Sequence, residues 1–297
     1  MNNVHVASAV IPSIGFGTYG MSAADVYGVI PAALSAGFRH IDTAQIYRNE
    51  GEIGECIVGS GIPRSEIFLT TKVWVSNYSE RYFEASVNES LRKLRTDYID
   101  LLLLHWPASD VPLAEQIAGL NAVARAGKVR HIGVSNFNRA RMTESIRLSA
   151  VPLVTNQFEY HPYLNQSLLI ESTLQAGLAV TGYCGMAIGR VFSDPTLKEI
   201  AARHDKSIAQ IVLRWLVQQR GIVALSRTTR IDRLAQNLTV FDFELDGADM
   251  AAIHSLATPG SRIVDPPGLA PLWDSTSARL HVLWICTREW PGLEALA

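Results

Sequence analysis

The 297-residue chain is poor in cysteine, with only Cys56, Cys184 and Cys286. Their number is odd and their spacing matches neither a disulfide framework nor a metal knuckle, so the expectation is reduced thiols, no bound metal and a cytoplasmic setting. Charge of one sign is also missing. With 26 Lys and Arg against 28 Asp and Glu, the net charge is -2, and no block of like charge marks a nucleic-acid groove or a membrane patch. The partner expected is a small molecule, bound by a monomer. No run reaches the roughly 18 apolar residues of a membrane helix. No lysine or arginine precedes Arg39, so although Ala7-Ser8-Ala9 resembles a signal-peptidase site, the start reads as mature protein. No linker rich in proline or serine divides the chain, and 48% hydrophobic residues can bury one large core. A single domain is expected.

What the chain does have is a recurring unit: an amphipathic helical stretch, a glycine, a short apolar run, then a polar group. It occurs as SAGFRHID, GSGIPRSEIFLTTK, RAGKVRHIGVSN, QAGLAVTGY and QRGIVALSRT. Gly37, Gly61, Gly127, Gly177 and Gly221 suit the left-handed position that ends a helix. Further apolar runs at 13–18, 98–104 and 153–155 bring the strand candidates to eight, the number of an α/β (β/α)8 TIM barrel. Helical spacing marks 23–36, 81–94, 113–126 and 207–219. In the last, Ile211, Leu213, Trp215 and Leu216 form a core stripe beside polar Gln210, Arg214 and Gln218. Pro31 is expected to kink the first helix.

A competing motif is IGFGTYG, in which Gly15, Gly17 and Gly20 match the G-x-G-x-x-G dinucleotide fingerprint and Asp42 stands where a ribose-binding acid would. Its context argues against that reading, because Pro12 would lie in the preceding strand and Asp42 opens a polar cluster containing a tyrosine. In the barrel reading Gly15 and Gly17 are small residues of the first strand, while Thr18 and Tyr19 reach the rim.

A barrel of this type presents its chemistry where strands hand over to loops at the C-terminal face. Asp42, Lys72, His105, Ser135, Asn136, Gln157 and Tyr183 all stand at such ends. Taken singly they are ordinary: Tyr47 a loop tyrosine, Asp42 a helix cap, Lys72 a solvated lysine, His105 a core histidine. Together they describe carbonyl reduction. A phenol with a pKa near 10 is a poor acid unless a cation favours its phenolate. Lys72 supplies the cation, Asp42 fixes Lys72, His105 orients the substrate oxygen, and Tyr47 gives the proton.

These residues resemble the aldo-keto reductases. The resemblance rests on GFRHIDTAQIYRNE, FLTTKVW, DLLLLHWP, GKVRHIGVSNFN and TNQFEYHPYL, and it runs over residues 11–273 in the family's order. The stretch SRIVDPPGLAPLWD is similar more narrowly to bacterial 2,5-diketo-D-gluconate and methylglyoxal reductases. The resemblance implies a barrel over residues 1–274 that binds NADPH/NADP+ without a Rossmann domain. By motif position, Ser135, Asn136 and Gln157 hold the nicotinamide carboxamide, Tyr183 stacks on its ring, and Thr18 and Asp42 adjoin the cofactor. Arg227, Thr228, Arg233 and Asn237 fall at the 2'-phosphate positions, with Arg230 nearby and helix-start N–H groups favouring an anion. Many members carry proline and lysine where Ser226 and Arg227 stand, and a serine-containing loop where Cys184 and Gly185 stand. Tyr19, Trp74, Trp106 and Trp273 are the candidate walls for an aldehyde, ketone or alcohol substrate, with core packing an equal reading for Trp106. A nucleotide-binding sensor or subunit on the same barrel is the second hypothesis, against which the intact set of four argues. Residues 275–297 match no family pattern: Trp284 and Trp290 leave open a cover over the mouth or a loosely packed extension.

Overall fold

The computed structural model describes residues 2–274. The stretch 275–297, with Trp284, Trp290 and Cys286, lies outside the described residues. Among the described residues no helix is long and apolar enough to cross a membrane.

A short antiparallel hairpin, β1 (Asn3–Val6) and β2 (Ala9–Pro12), precedes eight parallel strands. These are β3 (Ile14–Gly17), β4 (His40–Asp42), β5 (Phe68–Val73), β6 (Ile99–Leu104), β7 (Val129–Ser135), β8 (Leu153–Glu159), β9 (Ala179–Tyr183) and β10 (Ile222–Ser226). They close in the order β10-β3-β4-β5-β6-β7-β8-β9, so all eight expected strands are present and the fold is the (β/α)8 barrel. The hairpin was not expected. Its Ala9 and Ile11 pack with Phe68, Leu101, Leu103, Val154, Ala179 and Val223, closing the end of the barrel where strands begin.

The helices are α1 (Ala23–Ala36), α2 (Glu50–Gly59), α3 (Glu80–Leu94), α4 (Leu113–Arg125), α5 (Arg139–Leu148), α6 (Ser167–Gln175), α7 (Pro195–His204), α8 (Ile208–Gln218), α9 (Leu234–Leu238) and α10 (Gly247–His254). Local signals set their limits. Capping boxes at Ser22 with Asp25 and at Ser207 with Gln210 start α1 and α8, and Asp194 caps α7 with Pro195 in its first turn. The five glycines expected to be left-handed have φ from 68° to 112°. Helix α1 runs through Pro31 as far as Ala36, with Gly37 as its C-cap.

The polar side of α8 departs from expectation. Gln210 and Arg214 are buried with the apolar stripe, because the segment after α9 covers them. Arg214 Nη1 donates to Val240 O at 3.3 Å, Gln210 Nε2 to Thr239 O at 3.2 Å, and Gln218 Nε2 to Leu245 O at 2.7 Å. Amphipathic spacing reports that a residue is polar, not that another segment will satisfy it.

Strand parity decides what enters the barrel. Successive side chains alternate between faces. On β6, Leu101 and Leu103 join the inner cluster, while Leu102 and Leu104 pack under the helices. His105 is next on the inward side. On β4 and β5 the same alternation sends Ile41, Leu69 and Val73 outward and leaves Asp42 and Lys72 inward. Gly15 has no room for a side chain: a Cβ there would stand 2.7 Å from both His40 Nδ1 and Leu225 Cδ2. Packing inside β3 therefore accounts for the glycine of the apparent dinucleotide fingerprint.

Candidate functional site

At the C-terminal rim, the ammonium of Lys72 donates to Asp42 Oδ1 and, at 2.9 Å, to Thr43 O. The second carboxylate oxygen of Asp42 accepts from Gln157 Nε2 at 2.8 Å, across 115 positions of sequence. Asp42, Lys72 and Gln157 are all buried. Tyr47 follows on a one-turn 3-10 helix, Gln45–Tyr47, and Lys72 Nζ lies 5.2 Å from its ring centre. The Tyr47 ring meets Tyr19 edge-on at 5.2 Å and His105 at 5.7 Å. His105 is held by its backbone N–H to Val73 O at 3.2 Å, and its Nδ1 is buried without a partner.

Electrostatics set the protonation states. Burial, reinforced by the Asp42 charge and by Tyr19, holds the Tyr47 phenol well above its ordinary value near 10. Sequence reasoning stressed the opposite pull from Lys72; in this site desolvation dominates and Tyr47 is a phenol, the form that can donate. Burial, with the Lys72 charge second, drives His105 well below 6.5, so its imidazole is neutral. Burial also lowers Lys72, opposed by Asp42, whose contact favours the ammonium.

Around this centre stands a ring of amides and hydroxyls. Asn136, left-handed at φ 63°, donates from Nδ2 to His105 O and to Ser135 Oγ, both at 3.1 Å. Its Oδ1 accepts from the Tyr183 hydroxyl at 2.7 Å, which fixes a half-buried ring beside it. On the wall side Tyr19 is 69% exposed, and Trp74 meets His105 edge-on at 5.3 Å. Trp106 is buried, with Tyr78 bonded to its backbone and its ring stacked beside His105 at 6.4 Å.

The basic stretch is only partly free for an anion. Arg227 is exposed and donates from Nε to Tyr19 O at 2.7 Å. Arg230 pairs with Asp232 at 2.7 Å. Arg233 lies 5.8 Å from the Phe192 ring centre, and Thr228 Oγ1 accepts from Arg230 N at 3.0 Å. Two expected contacts are otherwise engaged. Thr18 is fully buried with its hydroxyl donating to Asp42 O at 2.9 Å, and Asn237 is buried, donating to Ser226 Oγ at 3.0 Å. Both brace the rim.

Sequence reasoning also passed over several residues. Gln45 anchors the Tyr47 turn, accepting from Trp74 N and Asn77 Nδ2, each at 2.9 Å. Asn49, buried, donates to Thr18 O at 3.0 Å and accepts from Thr43 Oγ1 at 2.9 Å. Both stand inside the quoted motif, and their side-chain amides beside Tyr47 were the available signal. The chemistry of the residues present fits a dinucleotide: amides and a hydroxyl at Ser135, Asn136 and Gln157, a flat ring at Tyr183, and arginines at the edge of the same rim.

Residues 13–258 match the aldo/keto reductase family. The chain belongs to that family. This reductase is 39% identical to methylglyoxal reductase DkgB of Salmonella typhimurium over 267 residues, 89% of this chain and 99% of the relative. Among solved structures it is similar to one with the provisional name 2,5-diketo-D-gluconic acid reductase B, at 57% identity and a TM-score of 0.92, covering 93% of this chain and 98% of that one. The Bombyx mori aldo-keto reductase in complex with NADP is 32% identical with a TM-score of 0.80, over 86% of this chain and 93% of that one. As an aldo/keto reductase the protein is an NADP-dependent oxidoreductase acting on carbonyl compounds.

Proposed function

We propose that this reductase converts small aldehydes and ketones to alcohols with Tyr47 as proton donor, and that the same groups run the reverse oxidation. The observation that carries the reading is the buried Asp42–Lys72 pair lying against the Tyr47 ring, with a neutral His105 beside it. NADPH, when bound, supplies hydride to the carbonyl carbon. Tyr47 supplies the proton to the carbonyl oxygen, and negative charge develops on its own oxygen as the O–H bond breaks. Lys72 opposes that charge.

The partnerless Nδ1 of His105 fits a tautomer with the proton on Nε2, because a bare acceptor is tolerated in a protein interior more readily than an orphaned N–H. Such an imidazole donates to the substrate oxygen and aims the carbonyl without competing as an acid. In oxidation the Tyr47 phenolate takes the proton back. Ser135, Asn136 and Gln157 hold the carboxamide, Tyr183 covers the ring, and Arg227 and Arg233 meet the 2'-phosphate.

The names of the relatives favour short dicarbonyl compounds and keto sugar acids as substrates. Tyr19 and Trp74 form an apolar wall, and such walls discriminate by only ~1 to 3 kcal/mol per methylene, so several carbonyl compounds are accepted. The experiment is a carbonyl panel with NADPH and NADH, run on the parent and on Tyr47→Phe. Since a positioned acid contributes ~10² to 10⁴, the variant is expected to lose at least a hundredfold. Turnover within tenfold of the parent removes Tyr47 as the acid.

A further inference from the structure

A second buried carboxylate stands at the mouth, outside the set of four. Glu159 ends β8, is fully buried, and shares the inward face with Gln157 two positions before it. Its Oε1 accepts from Ile263 N and from His161 Nε2, both at 2.8 Å, and its Oε2 accepts from Val264 N at 2.9 Å. The guanidinium of Arg262 lies 3.9 Å from Oε2. His161 Nδ1 accepts from Tyr163 N at 3.3 Å, which leaves Nε2 as the nitrogen that donates to Glu159.

A carboxylate removed from water is costly unless every oxygen is satisfied. Here the satisfaction comes largely from one place, the consecutive N–H groups of an irregular strap, residues 262–274. The strap is tied down again at its far end, where Asn138 Nδ2 donates to Leu272 O at 2.8 Å and Arg139 N to Asp274 Oδ2 at 3.0 Å. Arg262 stacks on Trp273 at 3.6 Å, and Trp273 Nε1 donates to Asp265 Oδ1 at 2.9 Å, closing the strap on itself. Its anchors are thus the end of β8, which carries Gln157, and the start of α5, just past Asn136.

We infer that Glu159 is a positioning residue for carbonyl reduction: its carboxylate clamps the 262–274 strap over the mouth, and the clamped strap sets which carbonyl compounds reach Tyr47. The inference rests on the reduction assigned to Tyr47. Glu159 touches no reacting atom; it acts through the backbone of Ile263 and Val264. Glu159→Gln keeps the shape but turns an NH2 group toward a backbone or imidazole donor, so at least one clamp bond is lost.

The test is amide hydrogen exchange of the strap together with kinetics on methylglyoxal and on a bulky cyclic ketone. Charged hydrogen bonds of this kind hold enough free energy that Glu159→Gln is expected to speed exchange at Ile263 and Val264 by ~10-fold or more, with the barrel strands unchanged. KM for the bulky ketone is expected to shift by several-fold, on the order of tenfold, while kcat for methylglyoxal stays within about twofold. Should Glu159→Gln not fold, Arg262→Gln loosens the same strap while leaving the hydrogen bonds from Ile263, Val264 and His161 to the buried carboxylate in place, and the same two shifts are expected at smaller size. Unchanged exchange in the folded variants overturns the clamp, and faster exchange with an unchanged KM for both substrates overturns its part in selection. Failure of the Tyr47 assignment is read separately, from Tyr47→Phe.

Discussion

Replacing Lys72 by methionine separates two things that the buried pair does. The ammonium is 5.2 Å from the Tyr47 ring centre. At an effective dielectric near 20, a unit charge about 5 Å from a developing phenolate is worth ~3 kcal/mol, or roughly a hundredfold in rate. Asp42 behind the ammonium offsets part of that, so ~10²-fold is the expected loss. The fold also suffers. Without Lys72, the buried Asp42 carboxylate keeps Gln157 as its side-chain donor, and stripping one partner from a buried pair costs about 3 to 5 kcal/mol. Adding Asp42→Asn removes the orphaned charge, so the double variant is expected to regain much of the stability and none of the rate. The assay is single-turnover NADPH oxidation with a reactive aldehyde, which isolates chemistry from product release, beside urea unfolding of the parent, Lys72→Met, Asp42→Asn and the double variant. Recovery of the double variant to within tenfold of the parent rate would refute the argument, since the ammonium would then matter only to folding.

Arg227→Ala with Arg233→Ala is expected to lower the NADPH to NADH ratio of kcat/KM by ~10² to 10⁴, from two charged hydrogen bonds at ~1.5 to 3 kcal/mol each; an unchanged ratio displaces the 2'-phosphate from these arginines. Burial raises the Glu50 carboxyl above its ordinary 4.5, partly opposed by hydrogen bonds from Thr71 and Ser90. The folded protein therefore holds this proton more tightly than the unfolded chain, and stability falls as pH rises from 4.5 through the raised value. Glu50→Gln removes that fall, so the change in unfolding free energy from about pH 4 to about pH 8 should be more positive in the variant than in the parent; an equal or more negative change sinks the assignment.

The legible part of this protein was local. Glycines after amphipathic stretches announced helix ends, and each apolar run ended on a polar residue at the same rim. The hairpin β1–β2 was missed because two four-residue strands carry too short a pattern, and Pro12 read as a breaker although it lies at the end of an edge strand. The cofactor positions expected of Thr18 and Asn237 come from motif position, which is silent on what else these side chains hold. Their hydrogen-bond partners, Asp42 O and Ser226 Oγ, are set by how neighbouring elements meet, which motif position does not encode. Glu159 and Gln45 went unremarked for a related reason: each matters through a segment that shows no periodicity of its own.

By itself the sequence determined the eight strands, their inward parity and the residue types offered at the rim, because those follow from backbone geometry repeating every two or 3.6 residues. Tertiary structure alone decided that Gln157 would brace Asp42, that Glu159 would hold the strap, and that burial would keep the Tyr47 phenol protonated. Those outcomes depend on groups distant in the chain sharing one volume from which water is excluded, and the energy of a charge or a hydrogen bond is fixed by that volume.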